Sequence, residues 1–260
     1  MRSALKLALL IALLVFCSLP AYAAETEAKQ STVKTDDFDA AFDDDFDDFD
    51  DEFSDSPRPL ISDPLEGWNR GVFWVNDKFY FYLAKPIVRV YRVVPRPVRT
   101  SVGNFFSNLA TPVRAVNALL QLKIKDTGTE LGRFLVNTTV GLAGFFDPAK
   151  SELGWEKKQE DFGQTLGYYG VGTGWYLVLP VFGPSSVRDG VGLVGDYFVV
   201  DPLSYADLTD AEYFGIKSFE YVNSLSLDPD TYEGIKRDAL DPYLFIRAAY
   251  VQHRLAKVNK

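Results

Sequence analysis

Cysteine, histidine and methionine each occur once in the 260 residues. With Cys17 as the lone thiol, no disulfide can close within the chain. His253 would have to serve any Ser-His-Asp triad, no G-x-S-x-G elbow accompanies it, and the usual Cys/His metal sets cannot be assembled. Carboxylate pairs remain, as in any helical protein, but no pattern orders them into a site. The chain therefore reads as a non-enzyme with no cofactor and no metal. A basic excess is also missing. The formal net charge is −9, yet residues 36–55 contain 12 acidic side chains and no basic one, whereas residues 57–260 hold 23 Lys plus Arg against 22 Asp plus Glu. The part able to fold is near neutral, which argues against nucleic acid as a partner because phosphates demand a cationic surface. Long apolar runs beyond the N-terminus are absent too. The best, FLVNTTVGLAGFF (134–146), has 13 residues where a spanning helix needs about 20. Convincing alternating strands are lacking, and YGVGTG (169–174) is no phosphate loop, since no Lys-Ser/Thr follows it.

What is present begins with an export signal. Arg2 and Lys6 supply a positive start, Leu7 to Phe16 an apolar stretch, and Ala21, Tyr22 and Ala23 a small-x-small site, so residues 1–23 read as a signal peptide cleaved after Ala23. Lipidation at Cys17 is the competing route, disfavoured because Phe16 stands where a small residue is wanted. Residues 24–61 form an acidic Phe/Asp-rich segment expected to be disordered when free. Its Phe38, Phe42, Phe46, Phe49 and Phe53 would share one face of a helix. The segment is either a solvated spacer, a stripe that folds onto a partner, or a divalent-cation binder without the EF-hand order.

Residues 62–260 read as one mostly α domain of amphipathic helices joined by short Pro-marked connections. Asp63, Pro64 and Glu66 form a helix start, followed by a stripe of Leu65, Trp68, Val72, Val75, Phe79 and Tyr82 that should end before Pro86. Val98, Val102, Phe105, Phe106 and Leu109 make a second stripe, and Val113, Val116 and Leu120 a third. Leu131, Phe134, Leu135, Thr138, Leu142 and Phe145 make a fourth. Thr209 to Glu212 is a capping box for a helix to about Ser224, and Leu244, Ala248, Val251 and Leu255 mark the last helix. Residues 163–195 hold nine of the 19 glycines and read as a tightly packed irregular segment. Arg89, Arg92, Arg96 and Arg99 recur at helical spacing among apolar residues, which suits either a phosphate layer or a solvated face, with Pro95 and Pro97 interrupting it. Aromatics at 15% point to contact with lipid or a partner.

SDPLEGWNR (62–70), Asn76, KP (85–86), NFFSNL (104–109), NALLQ (117–121), RFLVNTTVGLAGFFDPA (133–149), EDFGQTLGYYGVGTGWYLVLPVFGPSSVRD (160–189) and DPY (241–243) resemble the MlaA/VacJ family over nearly all of residues 62–254. The resemblance implies a ring-like helical protein held on the periplasmic side of the bacterial outer membrane, within its inner leaflet and often beside trimeric porins. It implies removal of mislocalised phospholipids from the outer leaflet and their passage, through an amphipathic channel, to a periplasmic MlaC-like shuttle, which maintains lipid asymmetry. A scaffold that braces a porin or another envelope protein without moving lipid is the alternative. By resemblance, the region of Asn76 affects gating and residues 147–163 correspond to a hairpin near the channel. Arg133 and Asn137 are the candidates for lipid head groups, and Phe134, Leu142, Phe145 and Phe146 for tails. Two departures stand out: family members carry their lipidated cysteine close before DPLEG, whereas Cys17 precedes Asp63 by 46 residues, and no long polar tail follows the last helix. The five-Phe stripe is then a candidate substitute for anchor or tail.

Overall fold

The computed structural model describes residues 61–197, 201–228 and 230–258. The signal, Cys17 and the five-Phe segment lie outside the described residues. Helix α1 (Glu66–Phe79) opens the fold, but Asp63 is not its cap: Leu65 holds that position with no side-chain bond. The Asp63 carboxylate instead accepts from Asn69 Nδ2 at 2.7 Å and from the Tyr243 hydroxyl, and lies 3.4 Å from Arg247. This ties the start of the domain to its end. Nor does the first helix stop before Pro86. A π turn (Tyr80–Ala84) leads directly into α2 (Lys85–Tyr91). Its wide turn, in which the Lys85 N–H donates to the Tyr80 carbonyl, makes room for a ring that crowds the preceding turn and has no N–H to give.

Helices α3 (Arg96–Leu109) and α4 (Thr111–Leu120) carry Pro97 and Pro112 within their first two positions, where a missing donor costs nothing. They are followed by α5 (Ile124–Thr139), the one-turn α6 (Pro148–Ser151) capped by Asp147, and α7 (Phe162–Tyr168) capped by Asp161. The strand pair β1 (Tyr176–Leu179) and β2 (Gly183–Ser186) comes next, then α8 (Val187–Gly195). A 3-10 turn (Pro202–Tyr205) precedes α9 (Asp210–Leu227), α10 (Thr231–Asp238) and α11 (Pro242–Val258). The Thr209–Glu212 capping box is present, and α9 runs three residues beyond Ser224.

Three expectations are corrected here. The fourth stripe is not one helix, because α5 ends at Thr139 and Leu142 and Phe145 follow in a tight turn. The glycine-rich segment is more regular than its composition suggests, being α7, an antiparallel hairpin and α8 around a loop. Residues 147–163 form no strand pair, being a helical turn and coil, and the β-hairpin of the described residues is at 176–186.

That hairpin pairs Tyr176 with Ser186 and Leu179 with Gly183, and its exposed edge is completed by a helix. Asn69 donates to the Tyr176 carbonyl at 3.0 Å and accepts from the Val178 N–H at 2.9 Å; seven residues on, Asn76 donates to the Leu179 carbonyl at 2.9 Å and accepts from the Val181 N–H at 2.8 Å. Two helical turns thus bring two amides to successive strand positions, and β1 is not left with open edge groups. Val72, Tyr176, Val178 and Tyr243 form the apolar cluster where α1, β1 and α11 meet. Elsewhere α4 packs on α5 and α7, α7 on α8, and α9 on α2 and α3. No helix among the described residues is long and apolar enough to cross a membrane.

Candidate functional site

Among the described residues, more polar than apolar side chains are buried, and large apolar ones cover the outside. Helix α5 carries the inversion most clearly. Thr127, Glu130, Arg133 and Asn137, at steps of 3, 3 and 4, are buried, while Leu131 and Leu135 face outward, Leu135 at 64% exposure. Helix α4 repeats it, burying Thr111, Arg114 and Asn117 and exposing Val116, Leu119 and Leu120. In α1, Asn69, Val72 and Asp77 are inside and Trp68, Trp74 and Val75 outside. The stripes recognised by their apolar residues are therefore partly outer faces. A helix folded in water places its stripe the other way round.

The buried polar groups bond to one another. Glu130, fully buried, accepts from Arg114 Nε at 2.6 Å and from the Lys158 N–H at 2.7 Å. Arg114 also donates to the Ser107 carbonyl and the Thr111 hydroxyl. Arg133 donates to Asp147 at 2.8 Å and to the Trp155 carbonyl, and Asn137 Nδ2 donates to the other Asp147 oxygen at 2.8 Å. Burial opposes ionisation of Asp147, but these hydrogen bonds from Arg133 and Asn137 outweigh it and hold the carboxyl below the ordinary carboxylate range. Asn104, Asn108, Arg114, Arg133, Asn137 and Asp147 line a cleft of about 10 Å³. That is the volume needed by a single water, far short of a phosphate head.

Arg133 and Asn137 thus lie side by side, with Arg133 Nη1 and Nη2 and Asn137 Nδ2 directed at the protein's own carboxylate and carbonyl groups and Arg133 Nε buried without a hydrogen bond. Beside them, Leu142 and Ala143 adopt left-handed backbone angles of 52° and 58°, conformations that cost L residues about 1–2 kcal/mol each. Bonds from Ala143 N–H to the Thr138 carbonyl and from Gly144 N–H to the Asn137 carbonyl hold this turn closed. It presents Leu142 and Phe146 outward, while the Phe145 ring, itself exposed, stacks on Phe105 with centroids 5.1 Å apart. Phe134 is half-buried on α5. Asn76 lies apart from this group, committed to the hairpin turn.

Sequence reasoning missed Glu130, Arg114 and Asp147. Glu130 had a signal in the polar 3, 3, 4 spacing of α5, and Arg114 one in the buried polar Thr111, Arg114, Asn117 spacing of α4, whereas Asp147 had none beyond its Asp-Pro pair. A second network was missed as well. Arg254 donates to Asp161 at 2.6 and 2.9 Å and to Asp189 at 2.7 and 2.8 Å. Asp196 accepts from the Phe162 N–H at 3.0 Å and from Asn117 at 2.7 Å. The arginine row divides: Arg92 and Arg99 donate to carbonyls at the end of α9, including that of Ser226, whereas Arg89 and Arg96 are exposed. Two of the four are therefore helix-terminus partners rather than readers of a phosphate layer. His253 is exposed on α11, and no grouping of His, Cys, Asp and Glu suited to a metal occurs among the described residues.

A family model described as MlaA lipoprotein matches residues 61–257. The intermembrane phospholipid transport system lipoprotein MlaA of Escherichia coli K12 is 36% identical over 197 residues, covering 74% of this chain and 76% of that protein. The lipoprotein of the same name from Haemophilus influenzae is 32% identical over 203 residues, covering 76% and 80%. An uncharacterized protein of Rickettsia felis is 34% identical over 200 residues, covering 76% and 79%. A solved structure described as "Structural basis for maintenance of bacterial outer membrane lipid asymmetry" superposes with a TM-score of 0.62 at 34% identity, over 76% of this chain and 99% of that one.

Proposed function

The chain belongs to the MlaA lipoprotein family, and from that premise we propose that its helices lie in the inner leaflet of the outer membrane and hand mislocalised phospholipids to a periplasmic MlaC-like shuttle. Its function is intermembrane phospholipid transport that maintains outer-membrane lipid asymmetry, a transport role without bond chemistry. The observation that supports embedding is the inverted polarity of α5. Leucines on its outer face gain about 25 cal/mol per Å² when acyl chains replace water, and the polar inner face is hydrogen-bonded apart from Arg133 Nε. Exposed Trp68, Trp74, Tyr82 and Trp175 suit the boundary between head groups and tails. In a ring-like arrangement, a head group follows the polar interior and the tails follow the apolar surface.

The test is transfer of a fluorescent phospholipid from vesicles carrying the purified chain to a lipid-free shuttle protein. Transfer that requires the chain supports the reading. Retained lipid, with the chain still co-purifying with a porin trimer, would return it to a scaffold. Anchorage is tested separately by intact mass: a mature chain beginning at Ala24 without acyl groups leaves attachment to the helices or the acidic segment, and one beginning at a lipidated Cys17 makes residues 18–61 a tether.

A further inference from the structure

A second cavity, of about 220 Å³, opens where α2 meets α9 and α10, well removed in sequence from the Arg133 cleft. Its walls include Tyr80, Lys85, Arg89, Arg92, Asp230 and Glu233. The three cations fall at steps of 4 and 3, so one face of α2 and its cap residue carries them all. Two are paired: Lys85 Nζ lies 2.6 Å from Glu233, and Arg92 donates to Asp230 at 2.8 and 3.2 Å and to the Asp228 carbonyl at 2.7 Å. The Arg92 hydrogen bond keeps the Asp230 carboxyl below the ordinary range, so it is an anion at neutral pH. Arg89 is different. It is exposed and makes no hydrogen bond or ion pair to a described residue, which leaves its whole fork of donors open.

We propose that this cavity receives the zwitterionic head of a phosphoethanolamine-type phospholipid, its phosphoryl oxygens on Arg89 and the spare donors of Lys85 and its ammonium on Glu233 and Asp230. The proposal rests on the transport reading and deepens it by naming a head-group site. The cavity, at about 220 Å³ against the roughly 10–15 Å³ that one water needs, has room for a group of several heavy atoms. Charge admits it: three cations against two ion-paired carboxylates leave one positive charge, that of Arg89, for the phosphate, and Glu233 and Asp230 keep acceptor lone pairs for the linked ammonium. Apolar surface for the tails lies around the helix from the cations, where Leu83, Ile87, Val90 and Val93 are exposed, Val90 at 73%. The bidentate fork of Arg89 is the group best matched to phosphate.

The experiment titrates the full chain with dihexanoyl phosphatidylethanolamine below its micelle concentration, with the phosphatidylglycerol analogue and with inorganic phosphate, by calorimetry. The ethanolamine lipid should bind best; Arg89→Glu should weaken it about tenfold or more and Arg89→Lys much less. Arg89→Lys keeps the charge and should leave melting unchanged; Arg89→Glu sets a third carboxylate beside Asp230 and Glu233, so a cooperative melt and unchanged circular dichroism check that it stays folded. Equal binding of inorganic phosphate would make this a bare anion site, equal binding of the glycerol analogue would remove the ammonium from the assignment, and unchanged binding by Arg89→Glu would remove the site; each overturns the proposal. Vesicle-to-shuttle transfer measured on the same preparations separates the two readings. Binding without any wild-type transfer contradicts the transport reading alone, and wild-type transfer without Arg89-dependent binding contradicts the head-group site alone.

Discussion

Arg254 joins three elements through two carboxylates, Asp161 at the start of α7 and Asp189 in the first turn of α8. Burial opposes ionisation of both acids, yet the Arg254 hydrogen bonds hold each below the ordinary carboxylate range. Removing the cation leaves Asp189 buried with only Arg188 and Tyr250 nearby, so Arg254→Ala should destabilise the fold by about 3 kcal/mol, read as a lowered midpoint of unfolding in detergent. Their pH dependence has a definite sign. With folded values depressed, Asp161 and Asp189 contribute stability above pH ~4 that disappears as pH falls through their folded values. Asp196 runs the other way, since burial pushes its carboxyl up to about 6. Its contribution is complete below its unfolded value near 4 and is lost as pH rises through about 6. A carbon-detected titration should find the Asp196 midpoint near 6; a midpoint near 4 would show that the Phe162 and Asn117 hydrogen bonds outweigh burial.

Elements approach one another closely at the glycines, and α7 against α8 is the tightest case. A methyl on Gly192 would meet the backbone nitrogen of Gly163, an atom that cannot swing aside. Alanine improves helix propensity by about 1 kcal/mol, but overpacking against a fixed backbone costs about 1–3 kcal/mol, so Gly192→Ala should be net destabilising. Gly128 in α5 is the control: nothing lies within 4 Å of its added methyl, and Gly128→Ala should stabilise by up to about 1 kcal/mol. Thermal melts of the two variants should move in opposite directions. Much of this scale was legible beforehand. The Thr209 capping box, the prolines at the starts of α3 and α4 and the final helix all follow from local chemistry. The hairpin was not legible, because its completing partners, Asn69 and Asn76, stand some 105 residues away from β1. The helix passing through Pro86 was missed because a π turn is a local rearrangement with no residue signature of its own.

For the molecule as a whole, the decisive property is which side of each helix faces out. Leu131→Asp combined with Leu135→Asp changes two exposed positions and no buried bond, so secondary structure and melting in detergent should hardly change. Membrane partition should weaken by about tenfold or more, since each half-exposed leucine forfeits on the order of 1 kcal/mol of burial in lipid and a charge is added. Flotation with outer-membrane vesicles measures this directly. A variant that floats like the wild type would place α5 away from the lipid.

The amino-acid order by itself determined that the fold is helical, where several helices begin and end, and that neither thiol nor imidazole chemistry has the residues it needs. It also determined the family, because motifs such as RFLVNTTVGLAGFFDPA and GQTLGYYGVGTGWYLVLP persist as contiguous strings. Only the tertiary structure decided that Arg133 and Asn137 spend their donors on Asp147 and neighbouring backbone, that Asn76 closes a hairpin, and that Arg89 alone of Lys85, Arg89 and Arg92 is open to a ligand. The physical reason is that helical periodicity specifies two faces without specifying which one is inside. In water that choice follows from the apolar stripe; in a helix exposed to lipid it follows from where the polar partners meet, and those partners are brought together only when distant segments pack.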